Sequence, residues 1–95
     1  MILAKVAGAV VSTVRADGIG AARYLLVKPC GPSGHDESGG LVALDLMGAG
    51  PGELVLVSKG SSTRQTEITR DKPVDAVVMG IVDAVEEKGE AVFRK

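Results

Sequence analysis

Residues 2–14 set Ile2, Ala4, Val6, Gly8 and Val10 on one side of an extended chain, and Leu3, Lys5, Ala7, Ala9 and Val11 on the other. This is the two-residue period of a strand, and the β-branched content agrees with it. Both sides are largely apolar or small. A strand of that kind is covered on both faces, or lies in a barrel wall that also touches a neighbour.

The same reading predicts further strands over 24–28, stopped by Pro29, over 41–47, over 53–58 and over 76–85, with a short last strand over 91–93. The run 76–85 carries the strongest alternation, with Val77, Met79, Ile81 and Asp83 opposed to Val78, Gly80, Val82 and Ala84. Residues 29–40 have no periodicity and are dense in turn formers, which predicts an exposed, mobile loop. Residues 48–52 read as a tight turn between two strands, and Asp71 with Pro73 as a second turn. A helix fits only as one short turn near residues 61–66, where Ser61 or Ser62 would cap it. Five or six short strands without repeats predict an all-β fold: a small closed antiparallel barrel of OB-like type, which leaves no sheet edge open.

Composition sharpens that picture. Ninety-five residues support one domain, residues 1–95. A chain of this size buries only about 60–65% of the surface it exposes when unfolded. Apolar residues make up 45% of the chain but aromatics only 2%, namely Tyr24 and Phe93, so the core must be built from Val, Leu, Ile and Ala. Copies of the chain would then finish burying its surface. With 11 basic and 12 acidic residues, neither in a long block, there is no basic face for phosphates. Two aromatics are also a poor stacking platform for bases, so no nucleic-acid partner is expected. One cysteine, Cys30, excludes an intrachain disulfide and suits a reducing cytoplasm. The longest apolar run, residues 76–82, stops at Asp83 and is far shorter than the ~20 residues of a membrane helix. No membrane partner and no signal peptide are expected.

Candidate chemistry is sparse. His35, the single histidine, sits beside Asp36 and Glu37 in a loop with little rigidity to hold a general base. Cys30, His35 and Asp36 lack the paired short spacing of a zinc site, so no metal is expected. The cluster Gly48, Ala49, Gly50, Pro51 and Gly52 superficially resembles a phosphate loop, but it opens a strand rather than a helix. A hairpin needing unusual backbone angles is the preferred reading, with Gly50 expected at a positive φ or a subunit contact. Asp45, Asp71, Asp75 and Asp83 show no acid/base pairing in their spacing. No catalytic residue and no cofactor are expected.

Three stretches, residues 3–13, 45–64 and 72–83, occur in an order and spacing that resemble one family nearly along the full length. It is the EutN/CcmL family of bacterial microcompartment vertex proteins. The resemblance implies an OB-like barrel that assembles as a homopentamer at shell vertices in the cytoplasm, beside hexameric shell proteins. Its role would be structural rather than enzymatic, since flat hexameric tiles need a five-fold unit to curve. It also implies a heterologous interface that closes as a ring, so that each barrel offers two different faces. Gly48, Ala49 and Gly50 match the family's Gly-Ala-Gly turn. Gly60, Ser61, Ser62 and Arg64 match its Gly-Ser-x-x-Arg segment, and Pro73, Val74, Asp75 and Ala76 its Pro-Val-Asp-Ala turn. Gly48, Ala49, Gly50, Ser61, Ser62, Arg64, Pro73 and Asp75 are therefore candidates for the interface or its turns. Arg64 and Asp75 either bond across it or cap turns in their own subunit. Two other readings compete. An OB-type module for nucleic acid or oligosaccharide would need the missing basic or aromatic face, and a small enzyme would need His35 with a carboxylate.

Overall fold

The β-branched runs become strands in the computed structural model, which describes residues 1–12, 23–60 and 75–95. Among these residues the chain forms β1 (Ile2–Val10), β2 (Arg23–Pro29), β3 (Leu41–Asp45), β4 (Leu54–Lys59), β5 (Ala76–Ile81), β6 (Ala84–Glu87) and β7 (Glu90–Arg94). The first five close into a barrel in the order β1-β2-β3-β5-β4, while β6 and β7 pair as a separate two-stranded sheet. The helical turn expected over 61–66 lies outside the described residues.

The all-β class and the closed barrel agree with the expectation, but the barrel is not antiparallel throughout. β3 and β5 run parallel, with Leu44 beside Val77 and Asp45 beside Val78. The reason is parity: an odd number of strands closed into a ring cannot alternate direction at every contact. The other four contacts are antiparallel, which leaves one parallel seam.

Strict alternation is broken twice in the wall. Val6 pairs with Val27, but the next pair is Gly8 with Leu26, so Ala7 is a bulge residue. A one-residue slip exchanges the two faces of a strand. Ile2, Ala4 and Val6 therefore face the interior, whereas Gly8 and Val10 turn outward with Leu26 and Tyr24. On the other side, Leu56 pairs with Gly80 and Val57 with Val78, which leaves Met79 as the extra residue.

The interior holds Ala4, Val6, Leu25, Val27, Ala43, Val55, Val57, Ala76 and Val78, closed at one end by Ala49. It is aliphatic, as the composition requires. Neither aromatic belongs to it: Tyr24 packs with Leu44 and Val77 in a second small cluster. Phe93 lies against the 30–40 loop, its Cδ1 3.3 Å from where a Cβ on Gly34 would sit.

The run 76–85, expected as one strand, divides at Val82 and Asp83. Val55–Ile81 is the last pair of the β4–β5 ladder, and Val82 N–H makes a final bond to the Leu54 carbonyl (2.8 Å). Beyond Leu54 β4 offers no further strand residues, so Ala84–Glu87 pairs with Glu90–Arg94 instead. Lys88 (φ 54°) and Gly89 (φ 81°) join these strands with two left-handed residues, the pattern of a type I′ hairpin turn that matches strand twist.

Leu25 is among the largest fully buried side chains. Leu25→Ala is expected to destabilise the fold by about 2–5 kcal/mol, read from the chemical-denaturation midpoint. A loss below about 1 kcal/mol would show that the barrel interior is not the main core.

Candidate subunit-contact surface

The turn after β3 is built around a carboxylate that the spacing of acidic residues does not reveal. Asp45 Oδ1 accepts the backbone N–H groups of Met47 (2.9 Å), Gly48 (3.0 Å) and Ala49 (3.4 Å). This is the local side-chain-to-backbone bonding in which aspartate organises a turn. Oδ2 is buried and, among the described residues, has no hydrogen-bond partner. Among the described residues the guanidinium of Arg23, Asp45's register partner, faces it, with Nη1 3.9 Å away and its side chain 56% exposed. The cradle folds Ala49 inward to plug the core while Met47 stays exposed.

Glu53 holds the other end of the same turn. Its Oε1 accepts Gly50 N–H at 2.6 Å, and its own N–H donates to the Gly50 carbonyl at 3.2 Å. Its Oε2 accepts Lys95 Nζ at 2.7 Å, which ties the end of β7 to the turn. The Lys95 ammonium and the Gly50 amide hold the Glu53 carboxyl below its ordinary value. The same hydrogen bond raises the Lys95 ammonium above its own. Gly52 N–H to Val6 O (2.8 Å) and Val6 N–H to Glu53 O (2.9 Å) stitch the turn to β1.

Of the two alternatives for Gly50, a positive φ or a subunit contact, the first is excluded: the positive φ falls at Gly48 (78°) and Gly52 (83°). Asp45 draws three successive amides toward one oxygen, and the left-handed step falls at Gly48. A Cβ on Gly50 would meet only Glu53 Oε1, at an ordinary 3.5 Å.

Of the other candidates, Asp75 is exposed just before β5, where its carbonyl accepts Gly60 N–H at 2.9 Å. That junction lies at the Lys59 end of β4, whereas the Gly48–Gly50 turn lies at the Leu54 end. The fold therefore does not bring these two motifs together. Ser61, Ser62, Arg64 and Pro73 lie outside the described residues.

The 30–40 loop is internally bonded: Gly31 N–H to His35 O (2.8 Å), Gly34 N–H to Gly31 O (3.0 Å) and Ser38 N–H to Pro29 O (3.0 Å). His35 and Asp36 are exposed. Burial raises the Cys30 thiol above its ordinary value, against the lowering effect of Lys5. Among the described residues no three His, Cys, Asp or Glu side chains gather where a metal ion would sit. No described helix is long and apolar enough to cross a membrane.

What the surface does carry is hydrocarbon. Leu26, Val42, Leu56 and Met79 all face outward from the barrel wall, 36–48% exposed.

Residues 1–83 match the family described as "Ethanolamine utilisation protein EutN/carboxysome". The chain is 43% identical over 95 residues to the bacterial microcompartment shell vertex protein EutN of Escherichia coli K12, covering all of both chains. It is 37% identical over 95 residues to the carboxysome shell vertex protein CcmL of Synechococcus elongatus, covering 100% of this chain and 96% of that one. Among solved structures, the GrpN pentameric microcompartment shell protein of Rhodospirillum rubrum superposes with a TM-score of 0.79 at 40% identity. That likeness covers 92% of this chain and 100% of the other.

The turn supports two predictions. Gly48→Ala should cost about 1–2 kcal/mol, because an L residue is strained in the left-handed region, while Gly50→Ala stays within about 0.5 kcal/mol. Equal losses in thermal unfolding would reject that assignment. The second concerns charge. A depressed Glu53 contributes stability above the ordinary carboxylate range and loses it as the pH falls through the lowered value. Lys95, raised, contributes below its ordinary value and loses this as the pH rises through the raised one. Lys95→Gln should therefore move the Glu53 titration, followed by NMR, back up toward an ordinary glutamate; an unmoved midpoint would rule out the ion pair.

Proposed function

The chain belongs to the EutN/CcmL family, and on that premise we propose that five copies close a ring beside hexameric shell tiles. The protein is a structural component of a bacterial microcompartment shell, a vertex protein and not an enzyme. The likeness to a pentameric shell protein over 92% of this chain supports the five-fold reading. The apolar outer wall supports it physically, since burying such surface is the main favourable term in association. Hexagonal tiles alone extend as flat sheets, and a five-fold unit at each corner introduces the curvature that closes a polyhedron. The turn Gly48–Ala49–Gly50 at one end of β4 and Asp75 at the other, with Ser61, Ser62, Arg64 and Pro73, belong to the surfaces that meet between copies. Asp45 and Glu53 support that role by fixing the turn from both ends.

The alternative, an OB-type module for nucleic acid or oligosaccharide, fits the wall poorly. Tyr24 packs among Leu44 and Val77, and Phe93 lies against Gly34, so neither is a free stacking platform.

Native mass spectrometry at low micromolar concentration should show a single species of five 9.7 kDa chains. Co-expression with hexameric shell tiles should give closed polyhedra by electron microscopy, and omission of the chain open sheets or tubes. A stable monomer or dimer would refute the ring, and closed shells without the chain would refute its role at vertices.

A further inference from the structure

The barrel closes without the last two strands. β1 to β5 pair all round the ring, and the last bond between β4 and the chain leaving β5 is at Val82. The family match likewise ends at residue 83, one residue before β6 begins. β6 and β7 pair only with each other, and among the described residues no backbone hydrogen bond runs from residues 84–94 to the barrel. A two-stranded hairpin by itself is at best marginally stable in water. Side-chain contacts and the connection through Val82 and Asp83 must therefore hold it in place.

Two such contacts are present. Val85 and Phe93 are register partners and the half-buried residues of the hairpin, whose other side chains are exposed. Phe93 fills the space that Gly34 leaves: a Cβ there would lie 3.3 Å from Phe93 Cδ1 and 3.8 Å from Lys5 Cε. The second contact is the ion pair of Lys95 Nζ with Glu53 Oε2, while Lys95 N–H closes the base of the hairpin on the Asp83 carbonyl (2.8 Å). One contact is on the 30–40 loop and the other on the turn between β3 and β4.

We propose that β6–β7 is a strap that docks on the closed barrel and leaves it as one unit, turning about Val82 and Asp83, with Phe93 at Gly34 and Lys95 at Glu53 as its two clasps. Opening breaks one aromatic contact and one ion pair whose lysine is half exposed, but no bond of the barrel ladders. Opening a barrel strand instead exposes the aliphatic core, so the strap is the lower-energy excursion. Closed, the strap ties the 30–40 loop to the Gly48–Gly52 turn. Open, it leaves Glu53 with its bond to Gly50 alone.

Hydrogen exchange of the assembled wild-type protein, read by mass spectrometry of overlapping peptides, tests this. Residues 84–94 should exchange at least roughly ten-fold faster than β1–β5, yet more slowly than an unstructured peptide. Lys95→Gln unfastens one clasp and should speed exchange about two- to five-fold, by the same factor in β6 as in β7. Phe93→Ala, at the other clasp, should also speed both strands, and Phe93→Leu should speed them less. β1–β5 should exchange as in the wild type throughout. Protection of 84–94 equal to that of β1–β5 would overturn the strap, and so would exchange at the free-peptide rate. Speeding confined to the substituted strand, or shared equally by the barrel, would show that the hairpin does not move as its own unit. The number of copies in the assembly does not enter, so failure of the strap and failure of the ring are separate results.

Discussion

A barrel wall one strand thick has two faces, and this chain hides the inner one fully and the outer one only in part. Val, Leu and Ala on the inner face meet one another across the barrel, and that contact is the core. On the outer side of the same strands Leu44 and Val77 are covered by Tyr24 and Leu46, but other outward side chains stay open. Leu26, Val42, Leu56 and Met79 keep 36–48% of their surface in contact with water. The scarcity of aromatics makes the constraint tighter, because Tyr24 covers only the stretch of this wall at Leu44 and Val77. Phe93, the other aromatic, lies against Gly34.

Much of this was legible in the sequence. The apolar character of both sides of residues 2–14 announced a strand with two surfaces to bury, and the β-branched runs marked the barrel strands to within a few residues. Three features were not legible, each for a physical reason. The bulges at Ala7 and Met79 depend on which residue a neighbouring strand presents, which periodicity within one strand does not encode. The parallel β3–β5 seam follows from the strand count of the closed ring, a global property. The Glu53–Lys95 contact joins positions 42 residues apart. Asp45 is a different case. Its place just before Met47, Gly48 and Ala49 is a local turn signal, but a search for acid/base pairs passes over it.

The candidate contact turn shows how a wall can be both apolar and specific. Asp45 and Glu53 consume the amides of Met47, Gly48, Ala49 and Gly50 within the chain. The turn is thereby fixed before any neighbour arrives, which lowers the ordering cost of association. The glycine motif contributes differently from what its sequence suggests. Gly48 supplies a backbone angle and Ala49 a core plug, while Gly50 supplies only an amide to Glu53. Asp75, at the other end of β4, belongs to a separate part of the surface.

The central claim is that sister subunits cover the outer wall. Hydroxyl-radical footprinting of Met79 reads that burial directly, because Met79 is 40% exposed in the isolated subunit and its thioether oxidises readily when accessible. Met79 should be oxidised several-fold more slowly in the assembled wild type than in wild-type subunits dissociated by dilution. An equal rate in the two states, with the wild type still assembled, would mean that the wall faces water in the ring and would contradict the account.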